Sequence, residues 1–214
     1  MKKLIIISPH PDDECLGLAG TILKKKSQGY KIVNIFITSL KNTNFSQKIK
    51  DKQILEIKNC HKILKIDTTL QKVGTKKIIE MISKIFKKEK PREVYLPFVN
   101  DAHDDHYISY KAGIACCKWF RNNFIKSVYS YETLSETHMA NSKRKENIFY
   151  PNYFIDISKY IKIKLKAIKA YKTQIKDHPF PRSLNSIKSL AAFRGSSSGF
   201  KYAESFEAII IREE

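Results

Sequence analysis

With 214 residues, 42% of them hydrophobic, the chain is long enough to close one core and is expected to fold as a single domain over residues 1–214. Its apolar runs stop far short of the roughly 20 residues that cross a bilayer, and Leu4-Ile5-Ile6-Ile7 after Met1-Lys2-Lys3 is too short for a signal-peptide core, which points to a cytoplasmic protein. A formal charge of +19, from 40 Lys and Arg against 21 Asp and Glu, raises the question of an anionic partner. Yet the cations are mostly lysines along helical stretches such as Lys24-Lys25-Lys26 and Lys87-Lys88, which read as solvated faces and offer no base-reading motif.

Lys3 to Ser8 is a short apolar run, suited to a buried parallel strand, and it ends directly in Pro9-His10-Pro11. From Asp12 the positions Cys15, Leu16, Leu18, Ala19, Ile22 and Leu23 carry helical spacing up to Lys24–Gln28, with Gly29 as the stop. Lys31 to Thr38 is the next strand, completing a β-α-β start. Asn42 to Ile49 is a polar connector, followed by a helical pattern to Ile66, a second one over Ile78–Lys88, and a strand over Glu93–Phe98. Tyr107 to Trp119 has helical character and Ser127 to Glu132 that of a strand. Ser158 is placed to cap a helix running to about Ile175, with Ile161, Leu165, Ile168 and Tyr171 as its buried stripe. Asp177 to Arg182 interrupts, Leu184 to Phe193 resumes a helix, Gly195 to Gly199 is a turn, and Phe206 to Arg212 closes as a strand. Alternating strands and helices predict an α/β fold with helices on both faces of the sheet. Cys15, Cys60, Cys116 and Cys117 include no CxxC pair, which suits a reducing compartment.

Two clusters stand apart from the lysine background: His10-Pro11-Asp12-Asp13-Glu14 and Asp101-Ala102-His103-Asp104-Asp105-His106. Either alone reads better as a surface turn with a helix cap or a solvated loop than as a site. Each follows a predicted strand, however, and ligands of open α/β sheets bind outside the carboxyl ends of the strands. A catalytic zinc takes three nitrogen or oxygen ligands and keeps one position open. His10, Asp13 and His106 supply such a set, with Asp12 as the proton-transferring group beside it. His103, if protonated, would stabilise an oxyanion, with Asp105 holding its ring in the charged form. Spacing alone does not separate this hydrolase site from a structural metal, and a His₂Asp set also accepts Fe²⁺ or another divalent ion.

Pro9-His10-Pro11-Asp12-Asp13-Glu14 with Leu16-Gly17 and Gly20-Thr21, and Pro97 with Asp101-Ala102-His103-Asp104-Asp105-His106, resemble the two signature patterns of the PIG-L-type, LmbE-like de-N-acetylases. The likeness continues through Glu56–Ile66, Arg194-Gly195 and Tyr202–Phe206, and so covers nearly the whole chain. It implies a Rossmann-like three-layer sandwich with a mostly parallel sheet, and zinc-dependent removal of an N-acetyl group from an N-acetylglucosamine-type sugar or conjugate, in cell-surface polysaccharide or glycoconjugate synthesis. It also implies His10, Asp13 and His106 as zinc ligands, Asp12 as general base and acid, and His103 as oxyanion stabiliser. His178, Arg182 and Arg194 are candidate substrate contacts, whereas Gln53 stands where relatives often carry Arg. The expected partner is a small amino-sugar molecule, without specific nucleic acid; peripheral membrane association and a homo-oligomer are compatible with the sequence. Two other readings stay open, a metal-dependent esterase on the same scaffold and a non-catalytic basic binder of anionic partners.

Overall fold

A computed structural model describes residues 1–38, 46–66, 78–140 and 147–213. Their elements are, in chain order, β1 (Lys3–Ser8), α1 (Asp13–Ser27), β2 (Lys31–Phe36), α2 (Gln47–Leu64), α3 (Ile78–Glu89), β3 (Glu93–Pro97), α4 (Asp104–Cys116), β4 (Ser127–Tyr131), β5 (Tyr153–Asp156), α5 (Ile161–Ile168), α6 (Leu184–Ser196) and β6 (Ala203–Ile211). The first half of the predicted connector, 42–45, lies outside the described residues, and Gln47 to Ile49 already belong to α2.

The strands form one sheet in the order β2-β1-β3-β4-β6-β5. The first four are parallel and β6 runs against both of its neighbours. This is the expected Rossmann-like α/β arrangement, a mostly parallel sheet between helices. β1 shows why it forms: side chains alternate across a strand, so Leu4 and Ile6 join the core beneath α1, α2 and α5, while Ile5 and Ile7 join the core beneath α3 and α4. A strand apolar on both faces is stable only between two helical layers. The chain leaves β1 towards β2 and then crosses to β3 on the other side, so the order reverses beside β1 and opens a crevice at the strand ends.

Helices α4, α5 and α6 differ from expectation, α6 running three residues past Phe193 into the predicted Gly195–Gly199 turn. α4 begins three residues earlier than predicted, because the His103 ring accepts the Asp105 backbone N–H as its cap. Asp105 and His106 are thereby placed in its first turn. α5 is shorter than predicted at both ends and Ser158 does not cap it. Asp156 engages Ser158 instead, through N–H at 2.9 Å and hydroxyl at 2.5 Å. Beyond Ile168 the Thr173 N–H donates to Glu56 at 3.0 Å rather than to a helical carbonyl. Tyr171 nevertheless reaches the core as the stripe requires.

α1 lies close over the sheet: a Cβ on Gly17 would fall 2.5 Å from the Tyr131 ring. A buried ion pair anchors it. Glu204 of β6 accepts the Gly20 and Thr21 N–H groups at 2.9 and 2.6 Å, and Lys164 of α5 donates to Glu204 and to the Leu16 carbonyl at 2.6 and 2.7 Å. Removing one member of a buried pair strands the other charge. Glu204→Ala is therefore expected to destabilise the fold by about 3–5 kcal/mol in urea denaturation, and a stability equal to the parent would show that this anchor carries nothing.

Candidate active site

The first cluster is shaped by a tight turn between β1 and α1. Asp12 adopts φ 120°, a conformation costly to a residue with a side chain and frequent at functional sites. Although Asp12 occupies the N-cap position of α1, its side chain makes no capping bond. Its carboxylate instead lines the crevice and accepts from Arg182 Nη1 at 3.1 Å. Asp13, one residue on, is folded back: Oδ2 accepts the His10 N–H at 2.7 Å. The turn thus sends two adjacent carboxylates in different directions.

The second cluster arrives from β3. Asp13 Oδ2 lies 3.4 Å from His106 Nε2 and 3.6 Å from His10 Nδ1. Among the described residues, His10, Asp13 and His106 form a group able to hold a metal ion, as do His10, His103 and Asp105. A tetrahedral ion with bonds of about 2.0–2.1 Å needs its ligand atoms roughly 3.3–3.4 Å apart, and the two Asp13 contacts come close to that spacing. Among the described residues His106 Nε2 is buried without a hydrogen-bond partner, as a nitrogen suited to a metal would be. The far nitrogen of each imidazole is held by a carboxylate: His106 Nδ1 is 2.6 Å from Asp101 and His10 Nε2 is 3.0 Å from Asp105. Carboxylate–histidine pairs of this kind orient metal ligands and fix their tautomers.

Charges in this pocket are strongly coupled. Burial alone would raise the Asp13 carboxyl, but the neighbouring His106 and His10 hold it far below the ordinary range. Burial likewise opposes a charge on His106, which Asp13 and Asp101 override, pushing it up to about 10 in the metal-free protein. Asp12 is raised by burial and by the Asp13 charge, with Arg182 opposing.

Other expected residues are distributed unevenly. Asp105 is paired with His10 rather than His103: its carboxylate is 3.9 Å from His103 Nδ1, and that nitrogen accepts the Asp105 N–H. The ring proton of a neutral His103 therefore sits on Nε2. Arg182 lines the crevice; His178 and Arg194 do not. His178 is exposed. Arg194 forms a two-pronged bond with Glu132 at 2.9 and 2.6 Å, which also accepts Ser205, and so ties α6 to the end of β4 and to β6. Glu14 is fully buried, accepting the Asp12 N–H at 3.2 Å and the Tyr171 hydroxyl at 2.5 Å. The crevice has a volume of about 440 Å³, and beyond the metal-ligating group it is walled by Thr38, Gln53, Glu56, Glu136, Tyr171 and Gln174.

Residues 5–117, which hold both clusters, match the family model PIG-L, GlcNAc-PI de-N-acetylase. The chain belongs to this family. It is 28% identical to the diacetylchitobiose deacetylase of Thermococcus kodakarensis over 225 aligned positions, covering 95% of this chain and 82% of that protein. The fold matches N,N'-diacetylchitobiose deacetylase from Pyrococcus horikoshii with a TM-score of 0.76 and 22% identity, over 98% of this chain and 84% of that one. GalB, the 4-carboxy-2-hydroxymuconate hydratase of Pseudomonas putida KT2440, shares the fold at a TM-score of 0.78 and 16% identity, over 100% and 98%. Membership places the chain in a family of deacetylases, which are amidohydrolases, whereas the hydratase shows that the scaffold alone does not name a reaction.

Sequence reasoning gave no role to Asp101 or Thr137. Asp101 was visible five positions before His106, but its function depends on the bend into α4. Thr137, whose hydroxyl donates to Asp101 at 2.6 Å, had no signal, since it comes from the segment after β4. Asp101→Asn is expected to weaken Zn²⁺ binding by about 10- to 100-fold in a competition titration; unchanged affinity would remove Asp101 as the support of His106.

Proposed function

We propose that this protein hydrolyses the N-acetyl group of an N-acetylglucosamine-type sugar or sugar conjugate, using Zn²⁺ held by His10, Asp13 and His106. The observation that carries this reading is the group of three donor atoms of metal-ligand type within 4.8 Å of one another, with Asp12 on the wall of the same crevice. Similarity to a diacetylchitobiose deacetylase supports the substrate class. The crevice volume falls within the roughly 300–1,000 Å³ of small-molecule sites. Its wall offers amides, carboxylates and a guanidinium to sugar hydroxyls, and Gln53 Oε1 is buried with no partner among the described residues.

A divalent ion at these ligands supplies Lewis acidity and lowers the pKa of water towards about 7. Asp12 takes a proton from the attacking water as its oxygen bonds to the acetyl carbon. His103 Nε2–H donates to the oxyanion that forms on the former carbonyl. When the C–N bond breaks, Asp12 returns its proton to the leaving nitrogen, giving acetate and a free amine. Arg182 holds the Asp12 carboxylate in place at 3.1 Å. Asp101 and Asp105 keep the two imidazoles oriented.

A screen of N-acetyl and O-acetyl sugars for acetate and primary amine release, with and without chelator, tests reaction and metal together. Amine release that survives complete metal removal would overturn the metal-dependent reading, and release from O-acetyl sugars alone would identify an esterase. Asp12→Asn is expected to retain metal and lose about 100- to 10,000-fold in kcat; full turnover would remove Asp12 from the mechanism. Arg182→Ala has a signed effect. Arg182 lowers the pKa of Asp12, so its loss raises it, the ionised base is depleted at higher pH than before, and the acidic limb of the kcat profile moves to higher pH. A limb that stays in place would separate Arg182 from the base.

A further inference from the structure

The opposite end of the sheet bears a different chemistry. The amino ends of the parallel strands are flanked by basic residues joined in a row: Lys31 N–H donates to the Lys2 carbonyl, Arg92 to Lys3, Lys126 to Arg92 and Arg212 to Lys126, all at 2.8–2.9 Å. With neighbouring strands about 4.8 Å apart, this row crosses five strands in roughly 19 Å. Lysines also crowd the ends of α1, α2 and α3 at the same edge, where they complement helix carboxyl ends. Strand ends carry no such dipole, so this explanation does not reach the row. Acidic residues at this edge include Glu89, which pairs with Lys3 and Lys31, Glu93, which is buried against Lys25, and the exposed Glu213.

Beside the row, between α4 and β4, Trp119 is 67% and Phe120 64% exposed. They meet edge to face at 5.9 Å, with Lys118 and Arg121 within 6.0 Å of the Phe120 ring. Local bonds brace this segment. The Asn122 amide donates to the Cys116 carbonyl at 2.7 Å, and the Arg212 guanidinium holds the Asn123 and Ile125 carbonyls. The two rings are thus presented outward on a braced turn, next to a basic plane.

We propose that this edge docks on an anionic bilayer surface, with Trp119 and Phe120 entering the headgroup region and the basic row facing acidic lipids. Aromatic rings prefer that interface, and clustered cations are attracted to its negative potential. A second copy of the same face would set like charge against like, and perpendicular rings make no parallel platform for nucleic-acid bases. Because the crevice lies at the carboxyl ends of the strands, docking turns it away from the lipid, towards substrate in the aqueous phase.

Trp119 is the one tryptophan in the chain, so its emission reports this surface directly. The holoenzyme, mixed with vesicles of phosphatidylcholine plus phosphatidylglycerol, is expected to float with them and show a blue shift that is lost at high salt and absent with phosphatidylcholine alone. Lys118→Glu with Arg121→Glu should weaken binding by at least about 25-fold, near fivefold for each cation removed. Trp119→Ala with Phe120→Ala should abolish flotation while leaving turnover of a water-soluble substrate unchanged. No flotation of the parent on acidic vesicles would overturn the proposal. So would a blue shift that grows with protein concentration without lipid, marking self-association, or charge-reversal variants that lose binding to an oligonucleotide but not to vesicles.

Discussion

The buried contact between the Asp13 carboxylate and the His106 imidazole joins the ends of β1 and β3, and the rest of the site is arranged around it. Both side chains are almost wholly withdrawn from water, 3% and 0% exposed. A carboxylate in that position requires a cation, which a proton on His106 provides and a divalent metal can replace. Asp101 and Asp105 add negative charge on the far sides of the two imidazoles. Two imidazoles and three carboxylates thus balance one another's charge, and the parallel sheet allows this by placing two adjacent strand ends side by side.

Asp12 illustrates how a backbone conformation divides labour between neighbours. In an ordinary helix start its side chain would cap α1, and Asp13 would sit on the first turn facing solvent. The positive φ directs Asp12 to the crevice instead, and the Glu14 carboxylate takes the N–H that the turn leaves unpaired. Glu14 is itself fixed by Tyr171 from beyond α5, so the base is supported from the C-terminal third of the chain.

The two ends of the sheet are chemically opposed. At the carboxyl ends, acidic residues face helix amino ends and gather around the metal-ligating group; at the amino ends, cations dominate. A formal charge of +19 is therefore a poor guide to the crevice, whose wall contains Asp12, Asp13, Glu56, Asp105 and Glu136. Net charge describes how a molecule approaches its surroundings, whereas local arrangement decides what it binds.

Apart from β5, which was not read as a strand, the strand-and-helix order was legible because it rests on local pattern: the apolar run of β1 and the helical spacing after Cys15 depend on near neighbours alone. The two clusters were legible because His, Asp and Glu with metal-ligand chemistry are rare against a lysine background. The partners of those residues were not. That Asp105 turns to His10 rather than His103, that Arg194 is spent on Glu132, and that Thr137 supports Asp101 follow from segments brought together across the sheet. The sequence by itself determined an α/β chain of a deacetylase family with a candidate ligand set. Only the tertiary structure decided which carboxylate steadies which imidazole, because hydrogen bonds depend on direction and distance in space, and neither is written in the spacing along the chain.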